Sequence, residues 1–558
     1  MKYVAKSLCI LLFLTAVHLN AQVNFTQSNL PIVVINTNDQ NIPYDDPRIV
    51  ADMGIIYNGV GAINHPVDPH NNYDGKINIE IRGSSSASWA KKQYALETQN
   101  DDGSNRNVSL LGMPAENDWI LYAPYYDRSM MRNVLVYRLA RQMGWWAPRT
   151  RFCELVLNGT YQGVYVLMEK IKIDKNRVDI ATLLPEDTSG VELTGGYIIK
   201  IDKEQWLSGF NSPNRSTPRT VNRIRYQYFD PKNDELVDAQ RNYIRDYVLG
   251  FESVMLTENY NDPVTGYPAY IDVASFIDYF IINEISKNVD GYRLSAYFYK
   301  DKDSRGGKLC TGPVWDYNFS FGNIGYYRAQ QIDGWCVIQL FDQAAGDMWP
   351  VPFWWPKFVE DEIFMQQTCQ RWKELRKDVL NLSKVISYID AVADTLNRAV
   401  ARNFQIWLKP GDPPPPDGSW WPPDYPISQF TTYQDETDYL KSWTAQRVSW
   451  LDREFARVTP IATEPASTRP ASARIAGIYP NPFNATTTIR LTLSQPQHVL
   501  LTVWNVMGQQ VGIILDKTLD SGNYPVNFDA SELTSGIYMI RLVTSGGFSD
   551  VEKIVFVK

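Results

Sequence analysis

Two segments decide the fold and the chemistry expected of this chain: NEISKNVDGYRLSAYFYKD (residues 283–301) and GKLCTGPVWDYNFSFGN (residues 307–323). In each of them an aspartate follows an apolar stretch, Asp290 in the first and Asp316 in the second. One carboxylate near a helix end can orient or deprotonate an attacking hydroxyl, and another beyond a strand can bind the metal ion that neutralises phosphate charge. The pair therefore indicates phosphoryl transfer, although a single aspartate more often caps a helix or forms a turn.

The second segment also carries an amide side chain two residues beyond its aspartate. In an extended segment residues i and i+2 share a face, so Asp316 and Asn318 can bind one Mg²⁺ through oxygen atoms. Trp315 and Tyr317 are then expected to face the other way, into the core. Asp290 is a further candidate metal ligand in addition to its catalytic role.

A lysine pair upstream is the candidate for phosphate binding. The alternating isoleucines of KINIEIRG (residues 76–83) predict a strand, which a serine-rich loop follows, and a second strand is expected to begin at Lys91 and Lys92. An ammonium group, hydroxyls and backbone amides in such a loop can hold phosphates. Alternation puts the two lysines on opposite faces, so only one enters the site, and Lys92 is preferred. The alternative is a solvated pair that protects a strand edge.

Two further charged residues are expected near this site. Residues 118–144 predict a strand, a turn and an amphipathic helix with Arg132 early in the helix, where the dipole disfavours a cation. Arg132 is therefore expected to have a partner. Residues 153–174 predict two strands about an Asn-Gly turn, with Glu169 among apolar residues. Glu169 either pairs with the upstream lysine or faces outward beside a neighbouring lysine.

Three motifs in this order, IRGSSSASWAKKQYALE, NVDGYRLSAYFYKD and GPVWDYNFSFGN, resemble the CotH family of spore-coat-type atypical protein kinases. The resemblance covers roughly residues 30–455. It implies a two-lobed, protein-kinase-like α+β domain that transfers the γ-phosphate of ATP, with Mg²⁺ or Mn²⁺, to Ser/Thr hydroxyls of secreted or surface proteins. The implied roles are catalysis by Asp290, metal binding by Asp316, Asn318 and Asp290, and nucleotide binding by Lys92, Lys91, Glu169 and Arg132. For Arg132 the resemblance implies either a structural clamp or a phosphate contact, and the clamp is favoured.

The alternative is a catalytically inactive, kinase-like scaffold or adhesin. The proline- and tryptophan-rich segment KPGDPPPPDGSWWPPDYP (residues 409–426) cannot form a helix or a central strand. Exposed tryptophans on such a rigid segment can bind protein or glycan, although the segment can equally pack onto neighbouring helices.

The first residues predict export. Residues 1–21 combine Lys2 and Lys6 with the apolar run CILLFLTAV and a small residue, Ala21, as in a cleaved signal peptide. The run is too short to span a membrane, and no later segment is long and apolar enough. The mature chain is therefore expected without a transmembrane segment.

The C-terminal region is expected to form a separate, small, all-β Ig-like sandwich. A Pro/Ser/Thr/Ala-rich linker occupies residues 458–473, after the kinase-like residues 22–457, and residues 474–558 contain short alternating strands. The motifs YPNPFN, VWNVMGQQV, SGIYMIRL and KIVFVK resemble the type IX secretion sorting domain. That resemblance implies export across the outer membrane, the type IX machinery as a partner, and a secreted or cell-surface location.

Composition excludes several other classes. A chain of 558 residues needs more than one structural unit, and a net charge of −8 argues against nucleic acid as a partner. Beyond the signal peptide, Cys153, Cys310, Cys336 and Cys369 allow disulfides with three connectivities, and the absence of a CxxC pair disfavours zinc. The kinase hypothesis requires that two acids and an amine converge on one cleft of nucleotide size.

Overall fold

A computed structural model describes residues 23–203, 208–217, 222–412, 430–458, 473–505, 509–545 and 549–558. These residues form two compact units, the first ending at Val458 and the second within residues 459–558. The predicted signal peptide, most of the proline- and tryptophan-rich segment and nearly all of the predicted linker lie outside the described residues.

The first unit begins with a closed barrel of seven strands: β1 (Ile32–Asn36), β2 (Ile49–Ile56), β3 (Tyr73–Arg82), β4 (Gln93–Gln99), β5 (Asp118–Tyr122), β6 (Thr150–Leu157) and β7 (Thr160–Glu169). Their order around the barrel is β1-β2-β3-β4-β5-β7-β6, and the parallel pair β1–β6 closes it. Asn158 and Gly159 form the predicted turn between β6 and β7, both with positive φ, as an Asn-Gly hairpin turn requires.

Strand β5 separates two hydrophobic cores. Trp119 and Leu121 pack inside the barrel, whereas Ile120 and Tyr122 pack into a larger core outside it. This division follows from the alternation of side chains along a strand. The barrel therefore rests on the remainder of the unit through the outer faces of its own strands.

The larger core is built from a second sheet and eight described helices. The sheet contains β8 (Tyr197–Ile201), β9 (Phe210–Asn211), β10 (Arg225–Asp230), β11 (Ala296–Lys300) and β12 (Leu309–Thr311), in the order β12-β11-β8-β10-β9. The helices are α1 (Arg132–Gln142), α2 (Asp238–Met255), α3 (Val273–Ser286), α4 (Cys336–Gln343), α5 (Trp354–Glu360), α6 (Glu362–Lys377), α7 (Leu382–Asn403) and α8 (Tyr433–Arg457).

Helix α3 lies at the centre of this core, as its apolar sequence predicts. Asp272 caps it by accepting a hydrogen bond from the Ser275 amide at 2.8 Å. The helix is buried along nearly its whole length and leads directly to Asp290. The chain then returns through β11 and β12 towards Asp316, so the two acids follow neighbouring elements of the same core.

The second unit is all β. Its strands are β13 (Ala473–Tyr479), β14 (Thr486–Leu493), β15 (Gln497–Asn505), β16 (Gln510–Leu519), β17 (Gly522–Asp529), β18 (Gly536–Thr544) and β19 (Ser549–Phe556). They form two antiparallel sheets, β13-β14-β17 and β16-β15-β18-β19, around a common apolar core. The chain thus combines a mixed helix-and-sheet unit with an all-β unit, while the division of the first into kinase-like lobes stays a prediction.

The cysteines and the helices were also the subject of expectations from the sequence. The four described cysteines are all free thiols, so no disulfide links them in this structure. None of the helices in the described ranges has the length and apolar character needed to cross a lipid bilayer.

Candidate functional site

A cavity of about 460 Å³ lies in the first unit, where the end of β3, helix α1 and the end of β8 meet the loops that follow α3 and β12. Asp290, Asp316 and Asn318 all line it, so the structure brings together the three acidic and amide residues that the sequence singled out. Its volume lies in the range of small-molecule sites in proteins.

The loop that carries Asp290 is packed tightly against α3. A Cβ atom on Gly291 would lie only 1.8 Å from the Asn283 side-chain oxygen, so any larger residue would displace the buried Asn283 side chain. The same oxygen of Asn283 accepts a hydrogen bond from the Tyr317 hydroxyl at 3.0 Å. Asn283 therefore joins the loop of Asp290 to the loop of Asp316.

Asp316 does not lie in an extended segment. Its φ is +61°, in the left-handed region, so the prediction of an extended backbone at this position was wrong. Asp316 and Asn318 nevertheless both line the cavity, and Tyr317 is buried as expected. Trp315, expected in the core, is only partly buried there and lines the cavity as well.

Burial dominates the electrostatics of the two acids. It raises the pKa of Asp316 to about 7, and repulsion from Asp290 and Asp202 adds to the rise, while Arg82 and Lys203 oppose it. The pKa of Asp290 is also raised, first by burial and then by neighbouring acids, against the lowering effect of Arg293 and Lys203.

These two carboxylates have few partners of their own. In the part of the chain that the structure describes, neither side chain accepts a hydrogen bond, and the Arg293 guanidinium stands 3.7 Å from the Asp290 carboxylate. Carboxylate and amide oxygens are the ligands that Mg²⁺ and Mn²⁺ prefer. A bound cation would stabilise both ionised carboxylates and relieve their repulsion, so Asp316, Asn318 and Asp290 fit a divalent metal ion.

The lysine pair lies elsewhere. Strand β4 begins one residue after Lys92, so strand alternation does not govern either lysine. The Lys91 ammonium is fully buried and donates to the Val164 carbonyl at 2.6 Å and the Asn403 side chain at 2.9 Å, and burial lowers its pKa to about 7. Lys92 donates to the Ala87 carbonyl at 2.8 Å. Neither lysine is among the residues that line the cavity.

Three basic residues that sequence reasoning missed line the cavity instead. Arg82 ends β3, Lys200 lies on β8 and pairs with Asp202 at 3.0 Å, and Lys203 follows that strand and donates to the Ser85 hydroxyl. Lys203 thus connects the serine-rich loop to β8. The available signal was the sequence IIKIDK, in which an apolar strand ends in two lysines about a single acid.

Glu169 and Arg132 have structural partners. The fully buried Glu169 carboxylate accepts from the Arg149 guanidinium at 2.9 Å and from the Arg149 amide at 2.8 Å, so neither of the lysine partners considered for it is used. Arg132 donates to the Asp127 carboxylate at 2.6 Å at the start of α1, and both side chains are fully buried. This is the clamped arrangement, and neither Glu169 nor Arg132 lines the cavity.

A second group of acids stands beside the cavity. Carboxylate oxygens of Asp45, Asp46 and Glu80 lie within 4.8 Å of one another, and Asp45 and Glu80 also line the cavity. Arg48 already contacts Glu80 at 3.0 Å. This cluster therefore has a protein cation in direct contact with one of its carboxylates.

Comparisons with curated proteins and with solved structures carry no argument about this chain. No curated protein matches the sequence. Among solved structures, dimeric latent PorU from Porphyromonas gingivalis matches at 19% identity over 15% of this chain and 9% of that chain, with a TM-score of 0.14. The Pseudomonas fluorescens alkylpurine DNA glycosylase AlkC bound to DNA containing an abasic site analog matches at 10% identity over 40% of this chain and 64% of that chain, with a TM-score of 0.12. At such TM-scores neither likeness carries an argument.

Two protein-family models match the chain, one over each unit. The secretion system C-terminal sorting domain matches residues 477–558, so the chain is exported by type IX secretion and is secreted or displayed at the cell surface. The model described as CotH kinase protein matches residues 79–451, more than half of the chain, and this match includes Asp290 and Asp316. The chain therefore belongs to the CotH kinase protein family and ends in a secretion sorting domain.

Proposed function

We propose that this protein is an exported, ATP-dependent protein serine/threonine kinase of the CotH type. The cavity would hold ATP with Mg²⁺ or Mn²⁺, and the acceptor would be a hydroxyl of a secreted or surface protein. The barrel and the helical region on either side of the cavity would act as the two lobes of a kinase-like domain.

The observation that carries the proposal is the convergence of two poorly partnered carboxylates, an amide and three basic groups on one cavity. Phosphoryl transfer requires oxygen ligands for a metal ion, an acid that handles the acceptor proton, and cations that hold phosphate oxygens. Asp316, Asn318 and Asp290 supply the first two, and Arg82, Lys200 and Lys203 supply the third.

Each residue then has a distinct role. Asp316 and Asn318 would hold the metal ion, which offsets the charge of the phosphates when it is bound. Asp290 would accept the proton of the acceptor hydroxyl. The oxygen of that hydroxyl would bond to the γ-phosphorus while the bond from the γ-phosphorus to the β,γ-bridging oxygen breaks, which releases ADP. Burial raises the pKa of Asp290, and the positive charge of the neighbouring Arg293 guanidinium opposes that rise and so favours the ionised form that this role requires.

The phosphate contacts differ from those expected from the sequence. Lys91 is fully buried against backbone and amide oxygens, and Lys92 is bound to its own loop, so neither is assigned to ATP. Lys203 is the better candidate, because it reaches the serine-rich loop at the cavity and its charge acts on both Asp290 and Asp316. Glu169 and Arg132 are assigned to structure.

Transfer of labelled phosphate tests the proposal. The purified chain is incubated with ATP labelled at the γ-phosphate, Mn²⁺ or Mg²⁺, and casein as a serine-rich acceptor. We expect Asp290→Asn to lower kcat by about 10²- to 10⁴-fold, the usual contribution of a general base. We expect Lys203→Met to raise the KM for ATP by roughly tenfold or more, as the loss of a charge-assisted hydrogen bond does.

Lys232→Met, at an exposed lysine outside the cavity lining, is the matched control and should leave both constants unchanged. Phosphate transfer that survives in Asp290→Asn would contradict the assigned role. If the wild-type chain neither transfers phosphate nor gains thermal stability with ATP and metal, the kinase proposal is wrong, and the kinase-like scaffold or adhesin becomes the better explanation.

A further inference from the structure

Helix α1 reaches the cavity with two polar side chains one turn apart, Asn133 and Tyr137. Residues at i and i+4 share a face of a helix, and both of these line the cavity. The Asn133 side-chain oxygen accepts a hydrogen bond from the Tyr317 amide, and the Tyr137 hydroxyl oxygen accepts one from the Asp316 amide at 3.2 Å. Two successive amides of the loop are therefore held by one face of α1.

These hydrogen bonds act on a residue whose backbone needs support. Asp316 has a φ of +61°, in the left-handed region, which aspartate enters more readily than most residues but still at a steric cost. The two acceptors on α1 hold the amide of Asp316 itself and the amide that follows it. The direction of the Asp316 carboxylate is thus set by α1 rather than by a regular strand.

Helix α1 is a rigid support for this purpose. The buried Asp127–Arg132 pair fixes its first turn. The Tyr137 ring is 1% exposed and stacks on Trp315, with ring centroids 6.1 Å apart.

We propose that Asn133 and Tyr137 are positioning residues, which we call the α1 clasp, that orient Asp316 for metal binding. The proposal rests on the proposed function for the role of the metal in catalysis. Its core, that the α1 clasp sets the affinity of Asp316 for a divalent ion, can be measured without any phosphate transfer. The clasp residues touch the backbone of the metal-binding loop, and they are not themselves ligands.

The test compares Mn²⁺ binding by calorimetry in the absence of nucleotide. The Mn²⁺ binding that is lost in Asp316→Asn is taken as the Asp316-dependent binding. This comparison is needed because the Asp45–Asp46–Glu80 cluster can also hold a cation. We expect Tyr137→Phe and Asn133→Leu each to weaken the Asp316-dependent binding about fivefold, the equivalent of one ordinary hydrogen bond, with a larger loss in the double variant.

Tyr197→Phe is the matched control. Tyr197 is as buried as Tyr137 and its hydroxyl donates to the Leu193 carbonyl at 2.8 Å, away from the cavity lining. It should lower the melting temperature in EDTA about as much as Tyr137→Phe does, yet leave Mn²⁺ affinity unchanged. A merely structural role for Tyr137 would make the two variants alike in both measurements.

Unchanged Asp316-dependent Mn²⁺ affinity in Tyr137→Phe overturns the α1 clasp. That variant keeps the aromatic ring, so it decides the question even if Asn133→Leu does not fold. A wild-type chain that binds Mn²⁺ through Asp316, loses affinity in the clasp variants and transfers no phosphate would retain the α1 clasp and reject the kinase. A wild-type chain that transfers phosphate but shows no Asp316-dependent Mn²⁺ binding without nucleotide would reject the α1 clasp and retain the kinase, because nucleotide phosphates can supply metal ligands.

Discussion

Replacing Asp316 with asparagine is expected to abolish metal-dependent phosphate transfer and, in metal-free buffer at pH 8, to raise the melting temperature of the first unit. The first effect follows from the loss of a charged metal ligand. The second follows from the environment of the carboxylate, whose pKa burial raises from 3.8 to about 7. An asparagine carries no charge to be desolvated in the cavity.

The sign of the pH dependence follows from proton linkage. Between about pH 4 and pH 7 the folded protein holds a proton on Asp316 that the unfolded chain has released, because the pKa of this carboxyl is raised on folding, so the stability of the folded state falls as the pH rises through this window. Below pH 4 the carboxyl is protonated in both the folded and the unfolded state, so it does not reduce the stability of the folded state. Above pH 7 it is ionised in both states, and the full loss of stability from burying its charge remains. The gain in Asp316→Asn should therefore be near zero at pH 4 and greatest at pH 8.

Asp262→Asn provides a control with the opposite sign. The partly exposed Asp262 carboxylate accepts hydrogen bonds from the Thr265 and Val264 amides, which lower its pKa. Its replacement should slightly reduce the melting temperature at pH 8. Differential scanning fluorimetry in EDTA and in Mn²⁺ measures both variants. A lower melting temperature for Asp316→Asn at pH 8 in EDTA would mean that the carboxylate stabilises the folded state, and the destabilising role assigned to its burial would then be wrong.

Replacing Arg447 with methionine is expected to lower the free energy of unfolding of the first unit more than any other substitution proposed for this protein. Arg447 and Glu284 form a fully buried ion pair between α8 and α3, with a distance of 3.0 Å. The guanidinium also donates to the Ile332 and Gly334 carbonyls, and the Glu284 carboxylate accepts from the Cys336 amide at 2.7 Å. Removal of the arginine leaves a buried carboxylate without its counter-charge, which costs about 3–5 kcal/mol.

Urea denaturation followed by tryptophan fluorescence measures this change in the transition of the first unit. Lys441→Met on the same helix is the control, because Lys441 pairs with the exposed acids Asp390 and Asp438, and such surface pairs contribute about 0–1 kcal/mol. Equal losses in the two variants would contradict the role assigned to the buried pair.

The acidic half of the site was predictable because its signals are local. Asp290 follows directly on a buried, capped helix, and Asp316 and Asn318 follow a short apolar strand in a stretch with few other polar groups. The extended backbone predicted at Asp316 was wrong, yet both side chains line the cavity. The convergence of the two loops also depends on Asn283, whose contact with Gly291 is visible only in three dimensions.

The basic residues of the site were not predictable in the same way, because the partners that position charged side chains lie far from them in the sequence. Lys91 is held by Asn403, which lies 312 positions away at the end of α7. Lys203 reaches the cavity only because β8 pairs with β11, the strand between the two acidic loops. Likewise Glu169 is satisfied by Arg149 across the hairpin. Single-strand alternation contains no information about such partners.

The same limit applies to the fold. The β6–β7 hairpin is encoded by its Asn-Gly turn, and α3 by its apolar length and its cap. Closure of the barrel depends on a parallel pairing of β1 with β6, more than a hundred residues apart, and no local pattern specifies it.

The most direct test of the central claim is anomalous X-ray diffraction from crystals of the chain grown with Mn²⁺ and a non-hydrolysable ATP analogue. We expect a manganese peak about 2.0–2.3 Å from the Asp316 and Asn318 side-chain oxygens, with the analogue's phosphates beside Lys203. A cavity that holds no nucleotide, or a manganese peak only at Asp45, Asp46 and Glu80, would contradict the claim.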